Sequence, residues 1–135
     1  MSRYLAIIDE ADGAFGVIFP DAPGCTAMGS TQEEAIDNAI EALAEWASDE
    51  EAVGRKMAKP RSYVQILKSR EFPQLEKGAL IATLPLIRES GKLARANLSM
   101  DAGLLASIDE AASARGLTRS SFLASAARDK LKTSF

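Results

Sequence analysis

The spacing of apolar positions divides the chain into recognisable elements. Tyr4-Leu-Ala-Ile-Ile8 predicts a first strand. Asp9-Glu-Ala-Asp-Gly13 reads as a turn and Ala14-Phe-Gly-Val-Ile-Phe19 as a second strand, so the two make a hairpin. Pro20-Asp-Ala-Pro-Gly24 breaks the pattern, and Cys25-Thr-Ala-Met28 is a short third strand closed by Gly29. Ser30-Thr-Gln-Glu33 has the form of a capping box that starts a helix. Its buried stripe is Ile36, Ala39, Ile40, Leu43 and Ala47, with Asp37, Glu41 and Glu45 facing water, and it fades between Ala47 and Gly54. After a turn at Lys59-Pro-Arg-Ser62, Tyr63 to Leu67 predicts a short helix or strand. Ala79-Leu-Ile-Ala-Thr-Leu84 predicts a last strand able to join the sheet.

The pattern beyond Lys92 is different. Ala94, Ala96, Leu98 and Met100 alternate with Arg95, Asn97 and Ser99, which predicts a strand with one apolar and one polar side. Asp101 is placed to cap a helix whose apolar positions are Leu104, Leu105, Ile108, Ala111 and Ala112. Arg115 and Gly116 supply a last-turn cation and a terminating glycine. Thr118 reads as the cap of a second helix with Phe122, Leu123, Ala126, Ala127 and Leu131 as its stripe. So short a piece cannot cover a strand edge by itself, so it is expected to dimerise. Arg95, Asn97 and Ser99 carry side chains able to bond base edges, and a two-stranded ribbon presenting them fits the major groove of B-DNA. The free backbone N–H groups of Thr118, Arg119 and Ser120 suit a flanking phosphate. The plainer alternative is a small α+β piece with a solvated polar strand face.

In its order and lengths this strand, helix, Gly-x-Thr-Arg-Ser turn and helix resembles a ribbon-helix-helix domain. The resemblance implies two intertwined chains with Arg95, Asn97 and Ser99 as base readers and Thr118, Arg119 and Ser120 on the phosphate. It also implies a core shared between the chains, formed by Leu98, Met100, Leu105, Ile108, Phe122 and Leu123.

Charge divides the chain as well. Net charge is −3, but residues 1–53 hold twelve acids against one base, Arg3. Residues 54–91 hold eight bases and three acids, and residues 92–135 seven bases and four acids. An acidic part joined to a basic part suggests two partners of opposite charge, although acidic surfaces also simply keep proteins soluble. There is no histidine, which removes His-based triads and His-ligated zinc. Cys25 stands alone and fits a reducing cytosol. No apolar run reaches membrane length and the N-terminus does not read as a signal peptide, so a cytoplasmic location away from membranes is expected.

Phe19-Pro-Asp-Ala-Pro-Gly-Cys25, followed by Gly29-Ser-Thr-Gln-Glu-Glu-Ala35, is similar to the HicB family of antitoxins, and Lys59-Pro60 resembles the proline after that family's main helix. Many HicB-type proteins end in a ribbon-helix-helix domain, so the two resemblances agree in chain order. Together they imply an α+β chain. A partial RNase H-like β-β-β-α-β domain would span 1–88, a linker 89–93, and a β-α-α ribbon-helix-helix dimerisation domain 94–132. They imply that the first domain masks a HicA-type toxin, a small basic ribonuclease. They imply that the second domain binds operator DNA and represses the operon, as a homodimer or as a tetramer formed by two such dimers. Asp9, Asp12 and Asp21 are the candidate toxin contacts by charge complementarity. The role of the basic stretch 54–70 is left open.

No catalytic residue, metal or cofactor is expected. Asp9, Glu10, Asp12 and Asp21 invite a two-metal nuclease reading, but they read as turn residues, where the backbone does not fix their spacing. Cys25 has no neighbouring base to activate it, Trp46 reads as packing, and Tyr4, Phe15 and Phe19 as core. Two other functions remain: a solitary repressor whose first domain senses a ligand or oligomerises, and a metal-dependent nuclease.

Overall fold

The computed structural model describes residues 1–133. In chain order the elements are β1 (Arg3–Ala11), β2 (Ala14–Ile18), β3 (Thr26–Gly29), α1 (Gln32–Ala52), α2 (Tyr63–Ser69), β4 (Leu80–Pro85), α3 (Ala102–Ala114) and α4 (Arg119–Thr133). A 3-10 turn at Pro73–Leu75 lies between α2 and β4. The chain divides into two compact units, Met1–Arg88 and the residues from Glu89 onward.

The first unit is built on an antiparallel sheet of order β3-β2-β1-β4. β1 is an inner strand, and every residue from Tyr4 to Ile8 is buried. That burial explains its unbroken apolar run, because both faces are covered. Tyr4, Ala6 and Ile8 join Val17, Phe19 and Leu84 against Ala35, Ala39, Ile40, Leu43 and Ala47 of α1. Leu5 and Ile7, on the other face, pack with Ile66 of α2 and Leu75. The chain before β4 therefore forms a second layer, and the expected helix or strand at Tyr63 is a helix. Ser62 caps α2 through a reciprocal pair with Gln65.

Three local expectations change. β1 continues to Ala11, so Asp9 and Glu10 are strand residues and not turn residues. The turn shrinks to Asp12 and Gly13, which both have positive φ, at 52° and 77°. An Asp-Gly pair of this kind matches the twist of a two-residue hairpin, and this lets pairing run out to Ala11 opposite Ala14. The cap of α1 is Thr31, whose side chain accepts from the Glu34 N–H at 3.1 Å, while the Ser30 hydroxyl donates to the Glu34 carboxylate. Finally, Ile36 is only half-buried and Ala35 takes its place in the stripe. Gly29 is the reason α1 can sit so close. A Cβ there would lie 2.4 Å from the Ala35 nitrogen.

A strap closes the first unit. The Asp21 carboxylate is buried and accepts from both the Arg61 backbone N–H and the Arg61 Nε, each at 2.7 Å. Arg61 also donates to Glu71. The Tyr4 hydroxyl donates to the Ala58 carbonyl at 2.7 Å. These bonds fasten the basic stretch after α1 to the end of the sheet.

In the second unit, α3 is capped by Asp101, which accepts from the Leu104 N–H at 2.9 Å. It ends in a Schellman motif. Gly116 N–H donates to the Ser113 carbonyl and Leu117 N–H to the Ala112 carbonyl, with Gly116 at φ +68°. Thr118 caps α4, its side chain accepting from the Ser121 N–H. The strand expected over 94–100 is absent in the single chain, where this segment has no regular structure and is almost wholly exposed. The physical reason is that a strand is defined by its ladder, and among the described residues no strand pairs with this segment.

Candidate functional site

Asp9 and Asp12 are exposed at the β1–β2 hairpin. Asp21 differs from them. Its carboxylate points inward and is occupied by Arg61, so it holds the strap and offers no free surface charge. Asp9 and Glu10 are adjacent strand residues and therefore face opposite sides of the sheet. Among the described residues no group of three or more His, Cys, Asp or Glu side chains is placed to hold a metal ion.

The acids of α1 form a row. Glu33, Asp37, Glu41, Glu45 and Asp49 recur at every fourth position and all are exposed. Like charges at this spacing repel one another along a helix. The next two acids are neutralised: Glu50 pairs with Arg55 and Glu51 with Arg88. Arg55 holds the Glu50 carboxyl below its ordinary range, mainly by hydrogen bonding.

One flank of α1 faces the loop into β3 across an open cleft of about 200 Å³. Ala42, Glu45, Trp46 and Asp49 line one side, and Gly24, Cys25 and Thr26 the other. Cys25 is a buried free thiol, pushed up to about 11 by desolvation, so it is neutral and unreactive near neutral pH. Trp46 packs partly against the core, as its helix position suggests, but it also forms cleft wall. Three members of the row, Asp37, Glu41 and Glu45, were read from the sequence as facing water. The cleft was not, because its far wall comes from a loop some twenty residues earlier in the chain.

In the second unit Arg95, Asn97 and Ser99 are exposed, as are Thr118, Arg119 and Ser120. The Arg119 guanidinium is bound in fork geometry to Asp109, with Nε to Oδ1 at 2.8 Å and Nη2 to Oδ2 at 2.7 Å. That hydrogen-bonded pair holds the Asp109 carboxyl below its ordinary range. Arg128 makes a similar fork to Glu89. Of the six residues expected in a shared core, Leu98 is 66% exposed in the single chain. Met100, Leu105, Ile108, Phe122 and Leu123 are half-buried. The Arg115 guanidinium lies 5.7 Å from the centre of the Phe122 ring.

Among the described residues no helix is long and apolar enough to cross a membrane. No curated protein matches the chain. Solved structures do. The antitoxin HicB3 is 28% identical with a TM-score of 0.53, over 98% of this chain and 99% of that one. The Burkholderia pseudomallei antitoxin HicB is 29% identical with a TM-score of 0.51, over 97% of each chain. A chain of the HicA3 and HicB3 toxin–antitoxin complex shares the fold at 24% identity and a TM-score of 0.50, over 60% of this chain and 93% of that one. The family model describing the HicB-like antitoxin of bacterial toxin–antitoxin systems matches residues 4–127. With nearly its whole length matched, the chain belongs to the HicB-like antitoxins.

Proposed function

We propose that the first unit neutralises a HicA-type toxin, a small basic ribonuclease, by covering its surface, and that the second unit represses the operon of the pair as a DNA-binding dimer. Family membership supports the antitoxin role, and the acidic surface of the first unit, with Asp9, Asp12 and the α1 row exposed, suits a basic partner. Occlusion needs shape and charge only, so the chain acts without catalysing a reaction and without a cofactor. Its place of action is the cytoplasm, where the toxin's RNA substrate is.

The observation that carries the DNA-binding dimer is the unfinished state of the second unit. Of its described residues only Ala112 is buried, while Leu98 and Leu104 stand 66% and 54% exposed. Residues 94–100 alternate apolar and polar side chains but have no strand beside them. A second copy supplies both needs. The two segments pair into an antiparallel ribbon, Leu98 and Met100 turn onto the helices, and Arg95, Asn97 and Ser99 face the major groove. The caps of α4 leave the N–H groups of Arg119 and Ser120 for a phosphate.

The test separates the two roles. A fragment of residues 1–88 should still neutralise the toxin in co-expression, because both layers of its core lie within it. It should not shift the operator DNA in a gel. A fragment that folds yet leaves the toxin active would refute this division of labour.

A further inference from the structure

We propose that the cleft between α1 and the β3 loop is a receptor for an arginine side chain of a basic protein partner, with the guanidinium over Trp46 and bridged by Glu45 and Asp49. The proposal deepens the antitoxin reading and rests on it for the partner's identity.

Ala42, Glu45, Trp46 and Asp49 are spaced three and four apart, so they form one flank of α1, and the cleft collects an aromatic ring and two carboxylates in that flank. Neither carboxylate has a hydrogen-bond or ion-pair partner among the described residues, in contrast to Glu50 and Glu51 just beyond them. The far wall adds the Cys25 thiol, which is 4% exposed and also without a hydrogen-bond partner among the described residues. The cleft is therefore lined by two unneutralised carboxylates, an indole ring and an uncharged thiol. An anion is repelled and a purely apolar group leaves the carboxylates unused. A planar cation satisfies every wall: its face stacks on indole, and its edge donates to carboxylates one helical turn apart. Arginine fits better than lysine because its donors are spread in a rigid fork. At about 200 Å³ the cleft has room for a guanidinium and part of its stem, and it is open enough for a side chain to enter from a docked protein.

Two arms test this on the full chain. The chain contains one tryptophan, so its emission reports on the cleft alone. N-acetyl-arginine methylamide should change that emission saturably, and the neutral citrulline analogue should not. The double variant Glu45→Gln with Asp49→Asn should lose the response. It removes two charges from a self-repelling row, so the helix should be no weaker, which circular dichroism checks. An arginine titration indistinguishable from citrulline overturns the proposal. The second arm uses the HicA-type ribonuclease that the proposed function gives this chain as partner. Its affinity should fall roughly tenfold for the cleft variant. The comparison variant Glu33→Gln with Asp37→Asn changes the net charge equally on the same acidic row, outside the cleft, and should cost clearly less than the cleft variant. Equal losses in both variants overturn the cleft in favour of a general acidic surface and leave the antitoxin reading standing. An arginine response in a wild-type chain that does not bind the ribonuclease supports the cleft and removes the antitoxin reading.

Discussion

In β1, Leu5, Ala6, Ile7 and Ile8 are each no more than 3% exposed, whereas across α3 and α4 Ala112 is the only buried residue described. The two regions have similarly apolar stretches but differ in what surrounds them. β1 lies between two strands, with α1 on one face and α2 with the 3-10 turn on the other, all from the same chain. The helices of the second unit have one another and little else. The comparison shows that an apolar stripe encodes a surface to be covered, and that the covering layer has to be found separately. In the first unit it is found within the chain. In the second, under the proposed function, it is another copy.

The strongest way to break this comparison is Leu98→Asp. In an isolated second unit the change would be nearly silent, because the side chain is already in water. In a shared core it places an unpaired carboxylate in an apolar site twice per dimer, at a cost of several kcal/mol each. We expect sedimentation to show a monomer and gel shifts to show no DNA binding, while the first unit stays folded. A dimer of undiminished affinity would refute the intertwined arrangement.

The reciprocal change is Ile7→Ala. Ile7 is fully buried, so its truncation should destabilise the first unit by about 2–5 kcal/mol. Denaturant unfolding should show one early transition, and the mass of the dimer and its affinity for DNA should not change. Loss of dimerisation in this variant would mean that the two units do not divide the work as proposed.

How far the sequence could be read follows the same division. The four strands of the first unit, the long helix and the caps at Asp101 and Thr118 were legible, because periodicity and capping chemistry are local. The extension of β1 to Ala11 was missed because Asp9 and Glu10 are common turn residues, and only the positive φ of Asp12 and Gly13 shows where the chain reverses. Asp21 read as a surface charge because its partner, Arg61, lies forty residues away. The cleft at Trp46 was hidden for the same reason. What local pattern cannot carry is which distant segment comes to face a given side chain.

Arg95→Ala and Asn97→Ala sharpen the functional half of the comparison. Both side chains are exposed and bury nothing, so stability and dimer mass should stay as in the wild type. Removing a side chain that bonds a base edge should lower operator affinity by about 1–3 kcal/mol, and the dimer is affected at both half-sites. Binding to unrelated DNA should change much less for Asn97→Ala, which removes no charge. Unchanged operator affinity in both variants would show that this segment does not read bases.

The smallest effect concerns Arg119, and its sign is informative. Its guanidinium is held by Asp109 in a two-bond fork, so in the free protein it is already partly neutralised. If the helix start and not this side chain binds the phosphate, Arg119→Ala should weaken DNA binding only a few-fold, equally for all sequences. Asp109→Asn should do the opposite. It releases the guanidinium and removes a negative charge near the backbone, so affinity should rise a few-fold for operator and unrelated DNA alike, and fall more steeply with salt. The pH dependence follows from the direction of the shift. The Asp109 carboxyl is lowered by Arg119, so the stability from the pair is fully present above the ordinary aspartate range and is lost as pH falls through the lowered value. Near neutral pH the pair is therefore intact, and only the substitution, not mild acidification, should release Arg119. Fluorescence anisotropy on both DNAs at two salt concentrations measures this. A large, sequence-selective loss in Arg119→Ala would instead make the guanidinium itself a reader of the operator.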